Sequence, residues 1–357
     1  MLPAVARTSS STSRWRFLHH RESFLRVSPV LPTRLNLNPL TIMNAAPIRR
    51  FLVPIALVLS AGFACGAETK IGLLLKARGD FWSAMEKGAT EAGRAAGAEI
   101  VVKAPISEAD VGVQMKLLDA LAAQGIQALV IAPTNKDALA GPVAALAAKG
   151  VKIVVVDSPL AGTVEHVFVG TNQRAAGEAA GQLLATMVQA KDEITLLKHY
   201  QGSGATEERE IGAIAKLREA YPGLVMHGDI YSGTEKGAEE QKAELALTKY
   251  PNSKVILASS TPGTMAMLKV IQQKGLAGKI KLVGFGFNLN PEVAAAIESG
   301  AMTGWIAQLP KEVGRKGVEA AVALLKGQAV PAVVNTDFLV VTKDNLKDPK
   351  VQALLSL

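Results

Sequence analysis

The sequence predicts an α/β protein made of two doubly wound lobes, each a parallel sheet with helices on both faces. Three observations carry this. Short, wholly apolar runs alternate with amphipathic stretches along most of the chain. The apolar runs are continuous, as in strands buried on both faces, and do not alternate with polar residues. About ten strand–helix units follow one another, too many for one ordinary doubly wound domain.

In order, Ile71–Leu75, Glu99–Val102, Ala128–Ile131 and Ile153–Val156 read as buried strands. Between them, residues 81–96, 108–124 and 137–149 carry Ala, Leu, Met and Lys at helical spacing. Gly125 and Gly150 stand where a glycine closes a helix. Strands at 166–169, 194–198, 224–227, 254–258, 280–285 and 303–307 then alternate with helices at 173–190, 206–220, 235–249, 261–274, 291–299 and 311–326.

The formal charge of +8 points towards nucleic acid or an anionic membrane, but its distribution does not. Residues 1–67 hold eight arginines, no lysine and one acid, Glu22; without them 31 basic residues face 30 acidic ones, a net of +1. Met43 to Ala67 reads as a secretory signal. Arg49 and Arg50 precede an apolar run from Phe51 to Phe63, and Cys65, Gly66 and Ala67 offer a small-residue cleavage site. The run is too short to span a membrane. Residues 1–42 are a transit-like extension or lie upstream of a true start at Met43, the reading preferred here. Cys65 is the single cysteine. A lipid anchor there is the weaker reading, because Gly62-Phe63-Ala64 lacks a leucine-like residue three places before it. Cleavage after Ala67 leaves about 290 residues with no thiol chemistry and no disulfide, long enough to bury a core unaided.

In an open α/β lobe, ligands lie at the carboxyl ends of the strands. The residues just after each strand therefore matter most. Phe81 and Trp82 are adjacent aromatics in a chain that is only 4% aromatic. They suit stacking on the C–H face of a sugar, or burial between helix and sheet. Lys76 ends the first strand, as a ligand contact or a solvated end. Asp157 follows Ile153-Val154-Val155-Val156; a carboxylate there is not left buried and unpaired, and it accepts from two vicinal hydroxyls or caps a turn. Arg209 offers a planar fork to ring and hydroxyl oxygens, or pairs at the surface with Glu207 or Glu208. In Gly304-Trp305-Ile306-Ala307-Gln308-Leu309-Pro310-Lys311-Glu312-Val313-Gly314, a strand ends in an amide that donates and accepts, and a proline at once opens a helix.

That last stretch, and the chain from about Lys70 to about Lys343 in order, resembles the ribose-binding-protein family, periplasmic receptors of sugar ABC transporters with the type 1, LacI-like periplasmic-binding-protein fold. The resemblance implies a three-segment hinge, crossed near Gly170–Asn172, Gln308–Leu309 and Asn335–Thr336. The N-terminal lobe would comprise 68–170 plus 309–335, and the C-terminal lobe 171–308 plus 336–357. It implies ligand contacts by Lys76, Phe81, Trp82, Asp157, Arg209 and Gln308. Asn288 would stand in for an aspartate replaced by Gly286, or belong to the cap of the helix opened by Pro291. An asparagine is also missing near Gly79, an arginine at Ser158, a phenylalanine at Ser232 and an asparagine at Ser260.

The implied ligand is a monosaccharide or polyol other than ribose: another hexose, an inositol, or a furanose-like signal such as autoinducer-2. The implied partner is an ABC permease in the inner membrane, with a periplasmic monomer, no nucleic acid and no cofactor. Two other classes fare worse. An enzyme on a doubly wound fold needs a nucleotide loop or an acid/base set. Gly202-Ser203-Gly204-Ala205-Thr206-Glu207 is a poor dinucleotide fingerprint after a middle strand, and His166, His199 and His227 lack metal-ligand spacing. His199 and Tyr200 end a strand and are minor candidates for the cleft. The effector domain of a LacI-type repressor needs a helix-turn-helix where the export signal lies.

Overall fold

The computed structural model describes residues 69–235 and 237–356. The leader, its signal segment and Cys65 lie outside the described residues. The first sheet is built from β1 (Thr69–Leu74), β2 (Ala98–Lys103), β3 (Ala128–Ile131), β4 (Lys152–Val156) and β5 (Val167–Thr171), joined by α1 (Asp80–Ala96), α2 (Val111–Ala123) and α3 (Ala140–Ala147). The second is built from β6 (Glu193–Lys198), β7 (Val225–Tyr231), β8 (Val255–Ala258), β9 (Lys281–Gly286) and β10 (Gly304–Gln308). Its helices are α4 (Gln173–Ala185), α5 (Gly204–Ala220), α6 (Ala238–Lys249), α7 (Thr261–Gln273) and α8 (Pro291–Ser299).

The chain then returns. Helix α9 (Pro310–Leu325) and β11 (Val333–Thr336) join the first lobe, whereas β12 (Phe338–Val341) and α10 (Pro349–Gln352) join the second. The strand orders are β11-β5-β4-β3-β1-β2 and β12-β10-β9-β8-β6-β7. Every pairing is parallel except β10 with β12. Sheet membership thus changes three times: between β5 and α4, between β10 and α9, and between β11 and β12. At these passages Thr171 and Thr336 lie side by side, their hydroxyls 3.4 Å apart.

The parallel sheets follow from the continuous apolar strands. Residues 71–75, 128–132 and 153–158 are buried throughout, and each lobe has a core on both faces of its sheet. Helix starts follow local chemistry: Asp110, Asn172, Ser260 and Asn290 each accept a hydrogen bond from a backbone N–H of the first turn. Four helices differ from the sequence reading by three residues or more: α2 begins at Val111 instead of 108 and α6 at Ala238 instead of 235, and α3 and α4 also differ. A turn occupies 135–139, where Asn135 accepts from the amides of Asp137 and Ala138, so α3 begins at Ala140. Helix α4 stops at Ala185 instead of 190, where the Thr186 hydroxyl donates to the Leu183 carbonyl.

The return of α9 is secured by close backbone approach. A Cβ on Gly314 would sit 1.9 Å from the carbonyl oxygen of Met85, and one on Gly88 equally close to that of Lys311. Glycine at both positions lets α1 and α9 touch, which carries the chain back across the cleft.

Candidate functional site

The carboxyl ends of both sheets face one cavity of about 280 Å³, close to the lower end of the range for small-molecule sites. From the first lobe it is lined by Lys76, Phe81, Trp82, Glu108 and Asp157; from the second by His199, Arg209, Ser260, Met265, Phe287 and Gln308. Six of the seven residues singled out in the sequence therefore meet in one place: Lys76, Phe81, Trp82, Asp157, Arg209 and Gln308. Asn288 does not. Its carbonyl accepts from the indole Nε1 of Trp305 at 2.9 Å, Phe287 fills the adjoining wall, and the helix cap is supplied by Asn290.

Lys76 and Asp157 form one unit. Their side chains are 2% and 6% exposed, with Nζ 3.0 Å from Oδ2. Ser158 completes it: its hydroxyl donates to Asp157 at 3.0 Å and also accepts from Lys76. Burial works against the ammonium, but the attraction of Asp157, Tyr200 and Glu108 overcomes it and raises the Lys76 pKa. Neither the solvated strand end nor the simple turn cap describes these residues. Among the described residues Asp157 alone combines a side chain with a left-handed backbone, at φ 63°. Such a conformation costs of the order of 1–3 kcal/mol and persists where surrounding structure imposes it. Asp157 Oδ2 is occupied by Lys76 and Ser158, while Oδ1 has no partner among the described residues.

Arg209 is buried and does not pair with Glu207 or Glu208; Glu208 instead pairs with Arg174. Its Nε donates to Gln173 at 2.8 Å, one terminal nitrogen to the Ser259 carbonyl at 2.9 Å, and the other to Gln308 Oε1 at 2.8 Å. The guanidinium lies 4.7 Å over the Phe285 ring. Burial lowers its pKa to about 10 against the pull of Asp157, Glu108 and Glu210, so it stays charged at neutral pH. Gln173 also donates to Gln308 Oε1 at 3.1 Å, which fixes the amide: its oxygen is held inside the lobe and one N–H faces the Gly286 carbonyl at 3.5 Å, leaving the other N–H free for the cavity. Three donors satisfied by neutral oxygens leave two guanidinium N–H groups to serve a ligand.

Three features of the site were not drawn from the sequence. Glu108, in the loop 104–110, accepts from Trp82 Nε1 at 2.9 Å and lies 3.3 Å from His199 Nε2 on the other lobe. Burial alone would raise its carboxyl, yet the hydrogen bond and charge of His199, with Lys76 and Trp82, hold it at about 2. Phe287 meets Phe81 edge to face, centroids 5.5 Å apart, a second bridge across the cleft. Gln173 is the first residue of α4, immediately after the passage from sheet to sheet. Trp82 serves two ends, packing in the first lobe's core while its edge reaches the cavity. Gly79, where an asparagine was expected by resemblance, has φ 135° and ψ 172°, a region essentially reserved for glycine, so a larger residue is excluded by the backbone.

Residues 71–329 match the periplasmic binding protein domain. The chain belongs to this family. It is 25% identical over 286 residues to the D-allose-binding periplasmic protein of Escherichia coli K12, an alignment spanning 78% of this chain and 91% of the relative. With the ribose import binding protein of Bacillus subtilis it shares 26% over 270 residues, covering 75% and 85%. Among solved structures, a carbohydrate transporter solute-binding protein from Agrobacterium radiobacter in complex with D-arabinose superposes with a TM-score of 0.74 at 28% identity, covering 81% of this chain and 99% of that one. An ABC transporter solute-binding protein from Agrobacterium vitis with bound D-fucose gives 0.73 at 25% identity, covering 80% and 99%. The two parallel lobes are those of the type 1 periplasmic-binding-protein fold. Among the described residues no helix is long and apolar enough to cross a membrane.

Proposed function

We propose that this chain is an extracytoplasmic solute-binding protein that captures a monosaccharide or similar polyol between its lobes and delivers it to an ABC importer. The observation that carries the reading is the composition of the cavity. A carboxylate oxygen (Asp157), two guanidinium N–H groups (Arg209) and an amide N–H (Gln308) converge from opposite sheets, with Phe81, Trp82 and Phe287 beside them. Hydroxyls ask for such a mixture of acceptors and donors, and the C–H faces of sugar rings for the aromatics. The relatives named for allose and ribose, and the neighbours holding arabinose and fucose, support the same class.

The passages at 171–173, 308–310 and 336–338 act as the hinge. A ligand touching both lobes selects the closed arrangement, since it makes its full set of contacts only there. The role is capture, not chemistry. The signal segment exports the chain to the periplasm, where it works as a monomer with a permease of the inner membrane.

A thermal-shift screen across pentoses, hexoses, polyols and autoinducer-2 tests the reading. A rise in melting temperature is expected with at least one monosaccharide or polyol, lost in Arg209→Ala. The absence of a shift with every one overturns it.

A further inference from the structure

Four neighbouring strands of the second sheet bring their carboxyl ends to the cavity, and three of them deliver a polar side chain. After β6 comes His199, after β8 comes Ser260, and β10 ends in Gln308. Between the last two, β9 ends in Gly286, which delivers nothing. The reason lies beneath it. Trp305, one strand over and fully buried, places its indole under the end of β9; a Cβ on Gly286 would lie 1.7 Å from Cζ2 and 2.1 Å from Cη2. That ring is no loose side chain, since its Nε1 is anchored on the Asn288 carbonyl. No residue but glycine fits at 286 while Trp305 is in place, and the Gly286 carbonyl already faces the Gln308 amide at 3.5 Å.

The consequence is a sided cavity. The carboxylates in its wall, Asp80, Glu108 and Asp157, all stand on the first lobe. On the β8–β9 side the wall runs from Pro262 through Met265 to Phe287, with Phe81 edge to face against the last. The hydroxyls of Ser260 and Thr261 stand at the start of this wall; beyond them, at Pro262, Met265 and Phe287, a ligand hydroxyl meets methylene, thioether and ring edge in place of an acceptor.

Resting on the reading of the cavity as a monosaccharide site, we infer that its ligand is a deoxy sugar or one with a terminal methyl group, the apolar end seated against Met265 and Phe287, with the Trp305–Gly286 pair as the element that sets this preference. The hydroxyl-rich end lies between Asp157 and Arg209. A hydroxyl forced into the apolar end loses its water without gaining a partner, so the hydroxylated congener is penalised.

The test is isothermal titration of the full, exported chain with matched pairs: D-galactose and D-fucose, D-glucose and 6-deoxy-D-glucose, L-mannose and L-rhamnose, D-ribose and 5-deoxy-D-ribose, D-arabinose and 5-deoxy-D-arabinose. In the pair that binds, the deoxy member is expected to bind at least tenfold more tightly, a difference of about 1.4 kcal/mol. Equal or tighter binding of the hydroxylated member overturns this inference and leaves the monosaccharide reading standing. No binding to any pair overturns this inference, and the reading of the cavity as a sugar or polyol site falls with it only if the wider thermal-shift screen also gives no response. Met265→Gln keeps the side-chain length and brings an amide to the apolar end. It is expected to shrink the preference below threefold, and an unchanged preference also overturns the assignment. Because Met265 is only half-buried, this variant does not depend on repacking the core around Trp305.

Discussion

Asp157→Asn isolates the charge at the centre of the site. Its partner Lys76 is 2% exposed and 3.0 Å away. At an effective dielectric of ~20, opposite charges at that separation attract by about 5–6 kcal/mol, much of it offset by the desolvation of both. Removing one member leaves the other buried without compensation, which costs about 3–5 kcal/mol. Asparagine tolerates the left-handed backbone at φ 63° as well as aspartate does, so Asp157→Asn reports the charge alone. Asp157→Ala adds about 1 kcal/mol of backbone strain and is expected to be the less stable of the two. Chemical denaturation at pH 7 of wild type, Asp157→Asn, Lys76→Met and the double variant closes a thermodynamic cycle. Each single variant should lose about 3 kcal/mol or more. The double variant, with no charge left unpaired, should return to within about 1.5 kcal/mol of wild type. Coupling below about 0.5 kcal/mol would refute the buried pair as the organising element. The raised Lys76 pKa supplies an independent check of sign. Its contribution is complete below the usual lysine value of 10.5 and fades as pH climbs through the higher folded value. Alkaline titration should therefore cost wild type stability that Lys76→Met does not lose.

Three further outcomes are expected. The Glu108 carboxyl, held at about 2 against a usual 4.5, contributes stability above 4.5 that disappears as pH falls towards 2. Melting temperatures over that interval should fall more steeply for wild type than for Glu108→Gln, and parallel curves would count against the cross-cleft contact with His199. Gln173→Leu removes the hydrogen bonds that fix both Arg209 and Gln308, and should weaken binding of whichever sugar shifts the melting curve by about 10- to 100-fold, at about 1 kcal/mol or somewhat more per bond to a charged group. An unchanged dissociation constant would make Gln173 a bystander. Gly314→Ala pushes a methyl into the Met85 carbonyl and should cost about 1–3 kcal/mol. Hydrogen exchange should quicken in α1 and α9 and not in α6 to α8; uniform loosening would contradict the assignment of α9 to the first lobe.

What the sequence discloses here follows from how local each signal is. Buried parallel strands announce themselves as unbroken apolar runs, and a ligand site at strand ends limits the search to a few residues per strand. This is why Lys76, Asp157 and Gln308 could be picked out one at a time and still meet in one cavity. Glu108 follows no strand directly and works through His199, 91 positions away, so neither residue signals the other. Gln173 reads as an ordinary first-turn residue until Arg209 and Gln308 are brought to it. Trp305 is hidden in another way. As one apolar residue in an apolar strand it looks like core, and its effect on Gly286 depends on the neighbouring strand's register, which pairs Ala307 with Gly286. The mistaken weight on Asn288 has the same root. Only the backbone path after β9 decides which of Phe287 and Asn288 turns to the cleft.

The bridges between the lobes bear on how tightly any ligand is held. Glu108 with His199, Phe81 with Phe287, Ser107 with Thr234 at 3.2 Å and the Tyr200 hydroxyl donating to the Thr134 carbonyl at 3.2 Å all join the lobes with no ligand involved. Each favours closure on its own account, which raises the fraction of molecules already competent to bind. Apparent affinity rises in proportion to that fraction and stops rising once closure is complete. A binding protein that must release its ligand gains nothing from closure that persists without ligand, because only contacts made by the ligand itself distinguish the loaded from the empty form. Bridges of this kind therefore serve the function best when each is weak. An aromatic edge contact, a hydroxyl pair and a single hydroxyl–carbonyl bond are of that strength; the largely buried Glu108–His199 contact is the stronger exception. On this argument the decisive grip has to come from the groups that do not touch across the cleft: Asp157 on one side, Arg209 and Gln308 on the other, joined only through what lies between them.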